Sequence, residues 1–170
     1  MVTAEQLYEK LKDIHVGNPV CQFTKENCEL LLPTIERIEK IKREKNAIIL
    51  AHNYIAPQIF YSVADYTGDS YGLSKNAKES DADIIVFVAV RFMAETAKIL
   101  NPKKIVLDPN PYGGCSLADG ITDADVISLR QQFPDHTFVC YINTTASVKA
   151  QCDVCVTSSN VYKIIEKIPN

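Results

Sequence analysis

Two uninterrupted apolar runs limit what this chain can fold into more than any other feature. Residues 47–51 and 84–90 are rich in β-branched side chains and show no alternation of polar and apolar positions. Such runs are typical of parallel strands that are covered on both faces. Shorter runs at 105–108, 137–142 and 153–157 predict further strands. Because helical patterns separate the strands, the sequence predicts an α/β fold with parallel sheets flanked by helices, in three-layer αβα units.

Helices are predicted from apolar spacing and from capping residues. Thr3 is placed to cap the first helix, and Pro33 is expected to open the second, which ends near Lys45. The stretch 66–70 is interpreted as a break between two helices. The other helical segments are 3–14, 57–64, 71–80, 92–100, 145–150 and 159–167.

The order of the predicted elements suggests an internal repeat. The first half has the order strand, helices, strand, helix, strand, and the second half has strand, helix, strand, helix and then stops. The sequence therefore predicts a first α/β domain at 1–110 and a second, incomplete one at 111–170. The end of the second unit is expected to be missing.

Charge and composition exclude several classes of protein. A net charge of −3 provides no basic surface for nucleic acid. The first residues resemble neither a secretory signal nor a transit peptide, and no apolar run reaches membrane-spanning length. We therefore expect a cytoplasmic protein, in which the six cysteines do not form a disulfide framework.

The loop after the strand at 105–108 carries the first candidate for chemistry. Two prolines stop the strand, and Gly113-Gly114 leads directly into Cys115. Ser116 is a candidate N-cap with Asp119 in the first turn, so a helix is expected to start behind Cys115. The positive end of a helix dipole favours the thiolate, which is the form that binds metal or attacks carbon. The alternative is a buried cysteine with a structural role.

Polar side chains follow the predicted strands, and ligands of open parallel sheets bind beyond those carboxyl ends. His52 and Tyr54 follow the first strand, and a histidine there can act as acid, base or hydrogen-bond donor. Asp69-Ser70 precedes a helix whose amides suit an anion. We expect the polar groups of the separate strands to lie at one rim, although Ser and Thr at strand ends often serve only as caps. The other strand-end residues are Arg91, Tyr141, Asn143, Thr144, Ser158 and Ser159.

The spacing of Cys152 and Cys155 is that of a redox or zinc pair. The pair leads into a predicted strand, where residues three apart point to opposite faces, and no second pair completes a four-cysteine zinc site. Core or edge thiols are therefore the preferred interpretation, and Cys140 is expected to be buried in its strand. No function is assigned to Cys21 or Cys28.

Taken together, six short motifs resemble those of the quinolinate synthase family, in the same order, between about residues 31 and 168. The motifs are Ala51-His-Asn-Tyr54, Thr67-Gly-Asp-Ser70, Phe92-Met-Ala-Glu-Thr-Ala-Lys98, Gly114-Cys-Ser-Leu-Ala-Asp119, Tyr141-Ile-Asn-Thr144 and Thr157-Ser-Ser-Asn160.

The resemblance implies an enzyme that condenses iminoaspartate with dihydroxyacetone phosphate and eliminates water and phosphate to form quinolinate, the pyridine precursor of NAD. It implies three similar α/β domains, in a pseudo-threefold arrangement, around a 4Fe-4S cluster. Each domain supplies one cysteine, and one iron stays open as a Lewis acid. L-aspartate oxidase is implied as the upstream enzyme.

Site residues are implied by the same resemblance. Cys115 matches the first cluster ligand, and His52 and Tyr54 match catalytic residues. Arg91 stands where a histidine is common. The implied substrate-binding residues are His52, Asp69, Ser70, Tyr141, Asn143 and Ser158.

The remaining cluster cysteines belong to family segments that these 170 residues do not contain. We therefore expect one of three cysteine ligands and little activity from this chain alone. One alternative is a non-catalytic α/β module with an anion pocket at Ser70, Asn143 and Ser158. Another is a thiol metal-binding protein that uses Cys152 and Cys155.

Overall fold

The structure is a computed structural model that describes residues 2–17, 23–110 and 112–168, without the side chains of Ser70 and Tyr71. Cys21 and the side chain of Ser70 therefore lie outside the described part. The chain forms two compact units, one of residues 1–89 and 97–109 and one of residues 90–96 and 110–170. Residues 90–96 belong to the second unit, and the assignment of domains to 1–110 and 111–170 stays a prediction.

The first unit is a parallel sheet with helices, as the sequence predicted. Its four strands have the order β2-β1-β3-β4, and every neighbouring pair is parallel. The elements are α1 (Ala4–Leu11), α2 (Lys25–Glu44), β1 (Ala47–His52), α3 (Pro57–Phe60), β2 (Tyr66–Gly68), α4 (Ser70–Glu79), β3 (Ile84–Val88), α5 (Arg91–Leu100) and β4 (Ile105–Leu107), with the first residues of α5 in the second unit.

Both faces of the central strands are buried, which explains the unbroken apolar runs in the sequence. Ile49 of β1 packs in a cluster with Leu7 of α1 and Ile35 of α2. Successive strand residues point to opposite faces, so Leu50 lies on the other side, and it is fully buried. Leu73 of α4 is fully buried as well, and α4 contacts β1. The predicted strands at 47–51 and 84–90 are thus confirmed.

One local prediction in this unit is wrong, and a predicted break between two helices holds a strand that was not predicted. Pro33 does not open α2, because the helix begins at Lys25, where the Thr24 side chain accepts the N–H of Asn27. A proline inside a helix costs about 3 kcal/mol, and burial of Cys28 and Ile35 on the same helix offsets that cost. The break at 66–70 contains the short strand β2, which pairs with β1 from Leu50 to His52.

The second unit is built on two parallel strands, as predicted. Its elements are α6 (Asp123–Gln132), β5 (Val139–Tyr141), α7 (Ala146–Ala150), β6 (Val154–Val156) and α8 (Val161–Ile165). Tyr141 pairs with Val156, and Cys140 pairs with Cys155. Cys140 is buried, as expected from its position inside a strand. The repetition of one architecture along the chain stays a prediction.

The helix expected behind Cys115 is absent, which corrects the argument from a helix dipole. Residues 116–120 form turns, and the N–H of Asp119 donates to the Cys115 carbonyl at 2.9 Å. The helix begins only at Asp123, because Thr122 and Asp125 form a reciprocal capping box. This start signal at Thr122 lies seven residues beyond Cys115, and Gly120 lies between the two.

The helices differ widely in length and amphipathic character. The longest, α2, has 20 residues and carries charged side chains along its length. Across the residues that the structure describes, no helix is both long and apolar enough to pass through a membrane.

Candidate functional site

Four of the predicted site residues lie at or near the carboxyl ends of parallel strands, the edge of a sheet where ligands bind. In the first unit, His52 is the last residue of β1, and Asp69 directly follows β2. In the second unit, Tyr141 is the last residue of β5, and Ser158 lies two residues beyond β6. These residues were selected in the sequence because they follow predicted strands, and each of them lies at or near a strand end in its own sheet. The expectation that both sets share one rim stays a prediction.

His52 and Tyr54 are in contact in the first unit. Their ring centroids are 3.9 Å apart, with the planes at 41°. His52 is partly buried, whereas Tyr54 is 55% exposed. A solvent-facing phenol stacked on a half-buried imidazole presents two hydrogen-bonding groups side by side, which suits binding or proton transfer at one polar ligand.

Burial lowers the pKa of His52 from its ordinary value of 6.5, and the negative charge of Asp69 opposes that shift. The neutral imidazole is therefore the main form near pH 7. A neutral imidazole can accept a proton at its unprotonated ring nitrogen while the N–H of the other nitrogen donates a hydrogen bond. This state is the one that a general base requires.

NMR titration of the His52 ring is expected to give a midpoint below 6.5, because only the folded state disfavours the imidazolium. As the pH falls below about 6.5, the unfolded chain binds this proton first, so the free energy of unfolding decreases until the folded-state pKa is passed. Asp69→Asn should move the midpoint further down, since it removes the charge that raises it. Asparagine also serves as an N-cap, so the helix keeps its start. A midpoint at or above 6.5 would contradict this assignment.

Asp69 has a structural role that the sequence argument did not separate from binding. It is the N-cap of α4, and its Oδ1 accepts the N–H of Gly72 at 2.8 Å. Acidic N-caps stabilise the start of a helix, so capping alone is enough to explain an aspartate at position 69. Participation of Asp69 in substrate binding stays a prediction.

Cys115 is one of the residues that line a pocket in the second unit, which we call the Cys115 pocket. Its volume is about 190 Å³. Cys115 itself is partly exposed. The lining residues are Arg91, Phe92, Tyr112, Gly113, Gly114, Cys115, Ala118, Asp119 and Thr145. Tyr141, Asn143 and Ser158 are not among them.

Backbone contacts give the loop around Cys115 a defined shape. Asp119 Oδ2 accepts the N–H of Cys115 at 3.2 Å. A side chain at Gly114 would place its Cβ 3.0 Å from the same carboxylate oxygen, which would have to move by a few tenths of an ångström. The N–H of Arg91 donates to the Gly113 carbonyl at 3.0 Å, which attaches the loop to the start of α5. The loop backbone is thus held by a carboxylate at Cys115 and by the start of α5 at Gly113.

Tyr141 and Ser158 are joined by a hydrogen bond, with 2.8 Å between the phenol and hydroxyl oxygens. The contact follows from the strand register, because Tyr141 pairs with Val156 and Ser158 lies two residues further. Thr144 is buried and donates to the Tyr141 carbonyl at 2.9 Å. The helix cap expected at Thr144 lies one residue later, because Thr145 is the N-cap of α7. Asn143 lies partly buried in the same loop.

Two residues that the strand-end argument missed hold this loop in place. Glu95 accepts the N–H of Ala146 at 2.7 Å, although the two residues are 51 positions apart. Lys149 donates to Thr96 Oγ1 at 2.9 Å and to the Thr144 carbonyl at 2.8 Å. Burial lowers the pKa of Lys149, while the nearby thiols of Cys155 and Cys140 oppose the shift. The sequence signal for these anchors was only the motif that contains Glu95 and Thr96.

The thiols of Cys152 and Cys155 both have raised pKa values. Burial, and then repulsion from Cys140, raises the pKa of each of them to about 11. The alternative of a thiol metal-binding protein stays a prediction. Within residues 2–17, 23–110 and 112–168, no three His, Cys, Asp or Glu side chains are grouped so that they could hold a metal ion.

The sequence was compared with protein families and with curated proteins. The family model of the quinolinate synthetase A protein matches residues 36–170. A quinolinate synthase from Aquifex aeolicus is 54% identical over 147 residues, which cover 86% of this chain and 44% of the relative. One from Sinorhizobium medicae is 46% identical over 164 residues, covering 96% and 44%, respectively. One from Xylella fastidiosa is 54% identical over 134 residues, covering 79% and 40%. The chain thus spans about two-fifths of the length of these relatives.

Proposed function

The chain belongs to the quinolinate synthetase A family, and on that basis we propose that it supplies part of the active site of a quinolinate synthase. The reaction proposed is the condensation of iminoaspartate with dihydroxyacetone phosphate to quinolinate, a step of NAD biosynthesis. The observation that carries the proposal is the position of the site residues. His52, Tyr141 and Ser158 lie at or within two residues of the carboxyl end of a parallel strand.

His52 and Tyr54 are the proposed catalytic pair. The lowered pKa of His52 keeps its imidazole neutral at pH 7, so it is available as a general base. Tyr54 contacts the imidazole and offers a hydroxyl to the same ligand. Both substrates are acidic, and the proposed contacts to them come from His52, Asp69, Ser70, Tyr141, Asn143 and Ser158.

Cys115 is the proposed ligand of a 4Fe-4S cluster, which when bound would supply a Lewis-acidic iron. A cluster of this type needs three cysteine ligands here, and the described residues contain no metal-binding group of three. The residues present therefore suit one ligand and not the whole cluster. We propose that the other ligands lie outside the described residues.

A chimera tests this proposal, with residues 36–170 in place of the matching segment of the Aquifex aeolicus relative. We expect the purified chimera, handled without oxygen, to contain iron and sulfide and to form quinolinate. Cys115→Ser should lose both the cluster and turnover. His52→Gln should lose turnover and keep the cluster. Cys155→Ser is the matched control, expected to retain both.

Two results would contradict the proposal. The first is a chimera that binds the cluster and forms no quinolinate, which would favour the non-catalytic anion-binding alternative. The second is a Cys115→Ser variant with unchanged iron content. Turnover by the 170-residue chain alone would contradict the expectation that its ligand set is incomplete.

A further inference from the structure

One of the six sequence motifs, at residues 92–98, contributes none of the site residues proposed above. Its residues 92–96 belong to the second unit and form the first part of α5. Three of its side chains, those of Phe92, Glu95 and Thr96, contact residues that follow β5. These contacts indicate a role for the motif.

Glu95 binds the start of α7. Its Oε2 accepts the N–H of Ala146 at 2.7 Å, and Ala146 is the first residue of that helix. The first N–H groups of a helix have no acceptor within the helix, so this bond satisfies one of them. Because the acceptor is charged, the bond is stronger than one between neutral groups. Glu95 therefore fixes the point at which the loop 142–145 enters α7.

Lys149 of α7 holds the same loop from its other side. Its ammonium donates to the Thr144 carbonyl at 2.8 Å and to Thr96 Oγ1 at 2.9 Å. The ammonium also lies 5.6 Å from the centroid of the Phe92 ring, within reach of a cation–π contact. Glu95 and Lys149 are both partly buried, and the negative charge of Glu95 acts on Lys149, so the two charges compensate each other. Together they connect the loop to α5.

The loop that these contacts hold carries Asn143, one of the proposed substrate-binding residues. Before Asn143, the N–H of Ile142 donates to the Val156 carbonyl at 2.8 Å. After it, Lys149 binds the carbonyl of the next residue. The backbone is thus attached on both sides of Asn143, which limits the directions that its side chain can take. Binding groups need this restriction, because a productive geometry tolerates errors of only roughly 0.5 Å.

We propose that Glu95 and Lys149 are positioning residues, which set the position of Asn143 for the acidic substrates. The inference rests on the proposed function, since it takes Asn143 as a substrate-binding residue. Neither side chain contacts the ligand in this proposal, so neither is a catalytic residue. Partly buried charges lose hydration, which makes them a poor source of stability. Their hydrogen bonds have a defined direction, which apolar packing lacks, and that property suits them to positioning.

The first test needs no turnover and uses NMR of the isotope-labelled 170-residue chain. Glu95→Ala is expected to speed hydrogen exchange of the Ala146 amide about tenfold or more, the effect of losing a hydrogen bond to a charged group. Glu95→Ala and Lys149→Met should both shift the amide resonances of Asn143. Glu95→Gln keeps an acceptor oxygen and should recover most of the protection. Unchanged Asn143 resonances in both variants, with the fold verified by far-UV circular dichroism, would overturn the proposal.

The second test uses the chimera and measures KM, kcat and iron content. Glu95→Ala and Lys149→Met are each expected to lower kcat/KM about tenfold or more, because the binding group is misplaced. The loss should lie mainly in KM, since Asn143 is proposed to bind and not to react. Iron content should stay unchanged, because Cys115 lies in a different loop. Glu95→Gln should recover most of the loss.

Controls for these variants lie at α8, in the same unit. Lys163→Met and Glu166→Ala make the same changes of charge at exposed positions and should leave KM and kcat unchanged. In the double variant of Glu95 and Lys149, the loss should be smaller than the product of the two single losses, because both residues act on one loop.

The two tests separate this inference from the proposed function. A chimera without turnover contradicts the proposed function, and the Asn143 resonances still test the positioning. An active chimera in which both variants keep the original kcat/KM overturns the inference and leaves the proposed function in place. Loss of iron together with turnover in both variants also overturns it, because the pair would then support the second unit as a whole.

Discussion

Phe87→Ala is expected to lower the free energy of unfolding of the first unit by about 3–5 kcal/mol. Phe87 is fully buried in β3, directly opposite Leu50 of β1. The strand has a neighbour on each side, so its backbone cannot move into the space that the ring leaves. The loss therefore includes both the transfer of the ring and the cavity that remains. Because β1 ends in His52, the same change is expected to loosen the His52–Tyr54 contact.

Urea unfolding followed by far-UV circular dichroism measures this loss, since the chain has no tryptophan. Hydrogen exchange of the β1 and β3 amides assigns it to the first unit. Phe133→Ala removes the same ring at a position that is 46% exposed in the second unit, and it should cost less than about 1 kcal/mol. Equal losses for the two variants would contradict the central packing of Phe87.

Lys42→Met is expected to destabilise the first unit by about 2–4 kcal/mol, through polar groups that lose their partner. The Lys42 side chain is only 10% exposed. Its ammonium donates to Glu39 at 2.8 Å, to Asp65 at 2.8 Å and to the Val63 carbonyl at 2.9 Å, which uses all three protons. The estimate lies below the range of about 3–5 kcal/mol for fully buried pairs, because the Asp65 side chain is 33% exposed.

The effect of Lys42 should extend to β1, because Asp65 Oδ2 also accepts the N–H of Ile49 at 2.7 Å. Hydrogen exchange of the Ile49 amide is therefore the most direct local measurement. Lys40→Met is the matched control on the same helix, since the Lys40 side chain is 72% exposed and pairs loosely with Glu44. It should change stability by less than about 0.5 kcal/mol. Similar losses for both lysines would rule out the buried network as the cause.

The sequence predicted those candidate site residues that are polar and come at the end of a predicted strand. His52 and Tyr141 were found by that rule, and their strand-end positions agree with it. Arg91 was noted only as a strand-end residue, because its place in the wall of the Cys115 pocket depends on the fold of a loop more than 20 residues away. Glu95 lies in one of the six motifs, but its contact had no local signal, since its partner, the N–H of Ala146, lies 51 positions along the chain.

Local errors have a common origin. Pro33 was interpreted as a helix start and Ser116 as a cap because each residue is typical of that position. In the folded chain, packing of α2 overrides the proline, and the Thr122–Asp125 capping box starts the helix later than Ser116 would. Strand β2 was missed because its three residues are too few to show a hydrophobic periodicity. Its pairing with β1 stabilises it in the folded chain.

By itself, the sequence was sufficient for the α/β class, for the central strands and for the polar residues at their ends. These features depend on hydrophobic periodicity and on residue types, which act over a few neighbouring positions. The tertiary structure decided the start of α2, the turns behind Cys115, and the contacts of Arg91, Glu95 and Lys42. Those contacts join residues far apart in the chain, so their free energy exists only after the strands and helices have packed.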